Sequence, residues 1–77
     1  MRSAPNDFFD ELGQRWPSAI VARERLSDFT GGLISGKYMA NLDCKGEGAP
    51  RIKIGRKVAY PTKSLIVWIR NRAEQSS

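Results

Sequence analysis

The chain has 77 residues, 40% of them hydrophobic and 27% charged, and a formal net charge of +5. That length allows one domain with one modest core, worth about 3–5 kcal/mol net. No histidine and a single cysteine, Cys44, exclude Ser-His and Cys-His dyads, an internal disulfide and a multi-cysteine zinc site.

A reduced, cytoplasmic setting fits that cysteine use. No paired-carboxylate pattern and no complete phosphate loop is present, so an enzyme is the least expected class and no cofactor is implied. The longest apolar run, Leu65 to Ile69, is far short of a membrane span, and the N-terminus shows no apolar signal region. The charge is unevenly spread. Residues 1–34 hold four basic and five acidic side chains, whereas residues 35–77 hold nine and three. A basic half on a small chain points to a polyanionic partner, with nucleic acid first and an anionic membrane surface second.

Residues 1–20 read as an N-terminal arm carrying a helix over 6–16, with Met1 to Pro5 a loose end. Asn6 can cap that helix, with Asp7, Asp10 and Glu11 in its positive first turn. Phe8, Phe9, Leu12 and Trp16 fall on one face and are expected to dock on the core, the alternative being a partner surface. Gly13 weakens the helix and Pro17 ends it. Ile20-Val21-Ala22 is short and apolar, a candidate third strand beside a later hairpin.

Residues 21–74 form the main domain. Leu26 to Thr30 reads as a short helix capped by Ser27 and ended by Gly31-Gly32. Ser35 caps a second helix over Gly36 to Cys44. At 100° per residue, Tyr38, Met39 and Leu42 share its inward side, and Lys37, Ala40, Asn41 and Cys44 its outward side. Two helices joined by a glycine turn match a helix-turn-helix. Cys44 to Pro50 is a loop.

Arg51 to Tyr60 alternates apolar and basic residues around Gly55, which reads as a β-hairpin. A two-residue loop would mix cations with apolar side chains on one face. A three-residue loop, Gly55 to Lys57, pairs Ile54 with Val58 and Ile52 with Tyr60 and gives one apolar face, so that register is expected. The apolar face would then pack on the last helix and on the Tyr38/Met39/Leu42 side. Pro61-Thr62 opens that last helix, with Thr62 as cap and Leu65, Trp68 and Ile69 inward. Arg70 and Arg72 complement its C-terminal dipole. Residues beyond Ala73 fray, and 75–77 form a tail.

In this order, residues 26–69 resemble the small winged helix-turn-helix domains of phage excisionases and AlpA-like regulators, relatives of the MerR-type DNA-binding domain. The likeness rests on Phe29-Thr30-Gly31 at the turn, Ser35 opening the second helix and Gly48-Ala49-Pro50 before the first wing strand. Gly55-Arg56 at the wing, Tyr60-Pro61, Leu65 and Trp68 complete it. The resemblance implies an α+β, mainly helical fold: a winged helix-turn-helix with a short basic hairpin wing and a closing C-terminal helix. It further implies sequence-specific binding of double-stranded DNA, with Ser35, Gly36, Lys37 and Asn41 on the recognition helix and Lys53, Arg56 and Lys57 on the wing.

Those side chains suit the roles. Asn41 can read adenine, and Lys37 can read guanine or hold a phosphate. Ser35 with the amides of Gly36 and Lys37 suits a phosphate. Arg56 and Lys57 at a hairpin tip have few ways to pair within the domain, and Lys53 is either a wing contact or an edge charge that blocks aggregation. The expected function is DNA binding of mobile-element type, as an excisionase-like recombination directionality factor, or as a phage transcription regulator using the same surface. Further partners on DNA are an integrase or recombinase and other copies of the chain. A reading of another class is a protein-interaction module that binds a recombinase or polymerase through its N-terminal helix.

Overall fold

The computed structural model describes residues 6–76. The expected loose end Met1–Pro5, and the capping roles given to the Asn6 and Asp7 side chains, lie outside the described residues and side chains. The elements run α1 (Asn6–Arg15), β1 (Ile20–Ala22), a 3-10 turn (Arg23–Arg25), α2 (Leu26–Phe29), α3 (Gly36–Cys44), β2 (Ile52–Ile54), β3 (Lys57–Pro61) and α4 (Thr62–Ser76). Among the described residues the fold is α+β: four α-helices with one antiparallel sheet in the order β1-β3-β2. None of the described helices is long and apolar enough to cross a membrane.

The core joins every layer. Val21, Leu26, Phe29, Met39, Leu42, Ala49, Tyr60 and Leu65 form one buried cluster. Leu12, Trp16 and Ile66 pack against it, and Phe9 of α1 is itself buried, so the N-terminal helix docks on the core through three of the four residues of its expected face; Phe8 does not dock and is 39% exposed. Helices α1 and α4 approach closely at Gly13, where an added Cβ would lie 3.2 Å from Ile66 Cδ1. Strand β1 supports the hairpin, pairing along β3.

Helix α2 ends as its glycines predict. The Gly32 amide donates to Ser27 O at 2.7 Å and the Gly31 amide to Asp28 O, the paired bonds of a Schellman end. The Thr30 hydroxyl donates to Leu26 O and accepts from the Ile34 amide at 3.0 Å, fixing the turn that leads into α3. Ser27 is not the cap: the 3-10 turn runs directly into α2, whose N-terminal flank is Arg25. At α4, the Thr62 hydroxyl donates to Ser18 O rather than capping, tying the start of α4 to the segment before β1. Helix α4 also runs past Ala73 to Ser76. Arg70 and Arg72 therefore sit before its last turn, over the rings of Phe9 and Trp68 at 5.2 and 5.3 Å.

The hairpin register differs from the expected one. Ile54 pairs with Lys57 and Ile52 with Ala59, around a two-residue loop of Gly55 and Arg56. Gly55 has φ +60°, as the first position of a type II′ turn demands, and that turn's twist matches the strands it joins. Turn chemistry thus outweighs the uniform apolar face that a longer loop would have given. Val58 and Tyr60 turn toward the core, but Ile52 and Ile54 face out, 41% and 73% exposed. The expected packing of those two isoleucines on α4 does not occur.

A part-buried polar cluster borders the core where the sequence suggests only apolar contacts. Asp43 of α3, its side chain 6% exposed, forms an ion pair with Arg23 (Nη2–Oδ2 2.6 Å) and another with Arg51 (Nη1–Oδ1 3.6 Å). The Tyr60 hydroxyl donates to Asp43 Oδ2, the oxygen that Arg23 also meets, at 2.7 Å and accepts from Arg23 Nε at 3.1 Å. Burial, and the hydrogen bond to the Asp43 carboxylate, push the Tyr60 phenol above its ordinary 10.0.

The sign of the linkage follows from that direction. A raised folded-state value means that the neutral phenol stabilises the fold fully below pH 10, and that this contribution falls as pH rises through the folded value. Tyr60→Phe should therefore cost about 1 kcal/mol at neutral pH, and the gap to wild type should narrow above pH 10. Urea unfolding of both proteins between pH 7 and 11 measures this; a gap that widens with pH would contradict it.

Candidate nucleic-acid interface

Helix α3 carries most of the expected contacts, and its orientation decides which are free. Gly36, Met39, Ala40, Leu42 and Asp43 face inward, whereas Lys37, Tyr38, Asn41, Cys44 and Lys45 are exposed. With about 100° between residues, Asn41 lies at the middle of the exposed arc. Lys37 and Cys44 occupy the flank toward the 3-10 turn, and Tyr38 and Lys45 the flank toward α4. Lys37 and Asn41 are thus together and in water, as expected. Tyr38 departs from its expected place in the core and is 46% exposed. It sits at the edge of the inward arc, and Met39 and Leu42 already fill the space beneath it.

Ser35 caps α3 as predicted, its Oγ accepting from the Tyr38 amide at 3.0 Å. Gly36 has a packing role in addition to its place at the helix start. A Cβ there would meet Arg23 O at 2.7 Å, so α3 lies directly against the backbone of the 3-10 turn. This contact and the Arg23–Asp43 pair hold the same two elements together from both ends of the helix.

On the hairpin, Lys53 and Arg56 are exposed, with Arg56 at the loop. Lys57 is not free as expected: its Nζ lies 3.1 Å from Glu24 Oε2. The 3-10 turn continues β1 alongside β3, so Glu24 arrives opposite the first residue of β3. Its own backbone and the Lys57 ammonium hold the Glu24 carboxyl below its ordinary range. An exposed ion pair thereby links the hairpin tip to the turn that α3 packs against. Both proposed contact elements share one support.

Three residues escaped the sequence reading. Arg23 and Asp43 lie 20 positions apart, and no local pattern pairs them. Lys45 could have been found, because it is four residues beyond Asn41 and extends the same stripe. Among the described residues, no group of three or more His, Cys, Asp or Glu side chains could hold a metal ion. No family model matches the chain, and comparison with curated proteins and with solved structures gives no match either.

The close approach at Gly36 gives a direct check. Gly36→Ala should shift α3 off the 3-10 turn and lower stability by about 1–3 kcal/mol, the usual range for overpacking. The urea midpoint reports it; a midpoint equal to wild type would mean that the Arg23 backbone yields freely.

Proposed function

We propose that the chain is a sequence-specific double-stranded DNA-binding protein of winged helix-turn-helix type, with α3 in the major groove and the β2–β3 hairpin against the backbone. The observation that supports it best is which cations lack an internal partner. Arg15, Arg23, Arg25, Arg51 and Lys57 are in ion pairs, and Arg70 and Arg72 lie on aromatic rings. Among the described residues, the basic groups left without any such contact are Lys37, Lys45, Lys53, Arg56 and Lys63. Four of these five belong to α3, its C-terminal cap or the hairpin. A surface built only for solubility has no reason to gather them on those elements.

In this reading the hairpin cations and Lys45 neutralise phosphates without regard to sequence, while Lys37 and Asn41 meet base edges. No chemistry is performed; binding positions or bends the duplex. The mobile-element role, as a recombination directionality factor acting beside an integrase, follows from the order of elements that resembles excisionases. Regulation of transcription would use the same surface. The interaction-module reading rests on Phe8, Phe9 and Trp16: Phe9 is buried and Trp16 packs on the core, which leaves Phe8, 39% exposed, as the part of that face open to a partner.

If four or five phosphates are neutralised, log K against log salt should slope by about −4. Lys37→Ala and Asn41→Ala should change the preferred sequence, whereas Arg56→Ala should weaken all duplexes alike. Mobility-shift titrations with specific and random competitor measure both. A slope near zero, or equal affinity for random duplex, would sink the proposal.

Glu24 offers an independent test with the opposite sign. In the free protein it competes with phosphate for Lys57, so Glu24→Gln should tighten binding to every duplex by severalfold at low salt, with a steeper salt slope. Unchanged affinity would show that Lys57 does not reach DNA.

A further inference from the structure

We propose that the DNA-contacting surface continues past α3 onto the C-terminal half of α4, where Tyr38 and Arg72 grip the sugar–phosphate backbone on the side of α3 away from the hairpin. This rests on the DNA-binding reading above. It concerns a groove between α3 and α4 that includes Leu33, Tyr38, Trp68 and Arg72 in its lining.

The geometry of a helix in a duplex motivates it. The major groove is about 12 Å wide and a helix with its side chains is about 10–12 Å across. A helix seated there has one phosphate chain on each flank. On the Lys37 flank, α3 adjoins the 3-10 turn and, through Glu24 and Lys57, the hairpin tip. On the other flank the exposed residues are Tyr38 and Lys45, and the neighbouring element is α4. A second strand therefore passes over the α3–α4 groove.

That groove has the chemistry of a backbone site. Leu33 is 79% exposed and, with Trp68, offers apolar surface of the kind deoxyribose covers. Arg72 forms no ion pair among the described residues. Its guanidinium lies over the Trp68 ring, 5.3 Å from the centroid, and Trp68 is itself fixed by an Nε1 hydrogen bond to Glu47 O at 3.2 Å. A guanidinium held over a ring keeps N–H groups for an anion, and the contact limits where Arg72 can point. The Tyr38 hydroxyl has no partner among the described residues and can donate to the same phosphate chain. An extended acidic peptide shares the negative charge, but only the duplex also accounts for continuity with the Lys37–Asn41 stripe.

The test compares the full chain with Arg72→Gln and Tyr38→Phe, using Arg56→Ala as the hairpin reference. Arg72→Gln should weaken every duplex about tenfold, as expected for one charge-assisted hydrogen bond, and reduce the salt slope by about 1. Tyr38→Phe should weaken binding severalfold with its slope unchanged. In hydroxyl-radical footprints, Arg72→Gln should lose protection on a strand segment distinct from the one lost by Arg56→Ala. Arg72→Lys should recover the slope, which a purely structural role for Arg72 would not predict. If wild type binds its site and Arg72→Gln keeps both slope and footprint, the extension falls while the DNA reading stands. If wild type binds no duplex, both fall. Binding of polyglutamate that Arg72→Gln abolishes, with duplex affinity untouched, would assign the groove to acidic peptides instead and overturn the proposal.

Discussion

The carboxylate of Asp43 is the constraint on which the rest of the molecule depends. It stands on α3 and meets Arg23 after β1, Tyr60 on β3 and Arg51 before β2. Four segments distant in sequence thus converge on one side chain. A lone buried carboxylate would be costly, and so would a lone buried phenol, whereas the two guanidinium groups remain partly in water. Arg23 and Tyr60 satisfy Asp43 Oδ2, while Oδ1 is buried without a hydrogen bond among the described residues and has only the Arg51 charge at 3.6 Å to offset its burial, so the carboxylate depends on all three partners being in place. A core of five fully buried side chains specifies contact but little direction. The polar cluster supplies direction, because hydrogen bonds of 2.6 to 3.1 Å tolerate little sliding. Gly48 belongs to the same arrangement: a Cβ there would overlap Asp43 Oδ1.

Element identity was largely legible in the sequence, and element orientation was not. Ser35 as a cap, Gly31-Gly32 as a stop, the short strand at Ile20 to Ala22 and the span of α3 all follow from local chemistry, which acts over four residues or fewer. The misplaced features each needed information from elsewhere in the chain. Tyr38 lies at the margin of the inward arc, so helical periodicity alone cannot say whether it enters the core or tips out. Arg70 and Arg72 satisfy a helix dipole on paper, yet rings on α1 and one turn back along α4 give them closer partners. Lys57 looks free at a hairpin tip until β1 and the 3-10 turn bring Glu24 alongside.

The hairpin register shows how two local rules compete. Alternation favours a uniform apolar face; Gly55 favours a tight turn. A wrong turn strains backbone atoms directly, at roughly 1–2 kcal/mol for a non-matching φ. An isoleucine left half exposed loses only part of its burial energy, about 25 cal/mol per Å² of apolar surface not covered. A sheet with helices on one side needs only one apolar face, and Val21, Val58 and Tyr60 supply it. The outward face of β2 is therefore free to tolerate Ile52 and Ile54.

In the DNA-binding reading, the same support bears on how so small a domain could present α3 and the hairpin together. A helix and a hairpin that each packed loosely on a common core would move independently, and every bond made to a rigid duplex would carry the entropy of that motion. Here α3 is held by Gly36 against Arg23 O and by Asp43 to Arg23 and Tyr60, while the hairpin is held by Tyr60 at one end and by Lys57 to Glu24 at the other. Arg23 and Glu24 are consecutive residues, so the 3-10 turn touches both elements, through the part-buried Asp43 and Tyr60 contacts on one side and an exposed ion pair on the other. A change at Arg23 would disturb helix and hairpin together through Asp43 and Tyr60, whereas a change at Glu24 acts on Lys57 alone. In the DNA-binding reading, the 3-10 turn Arg23–Arg25 is thus the hinge of specificity, although no base or phosphate need ever meet it.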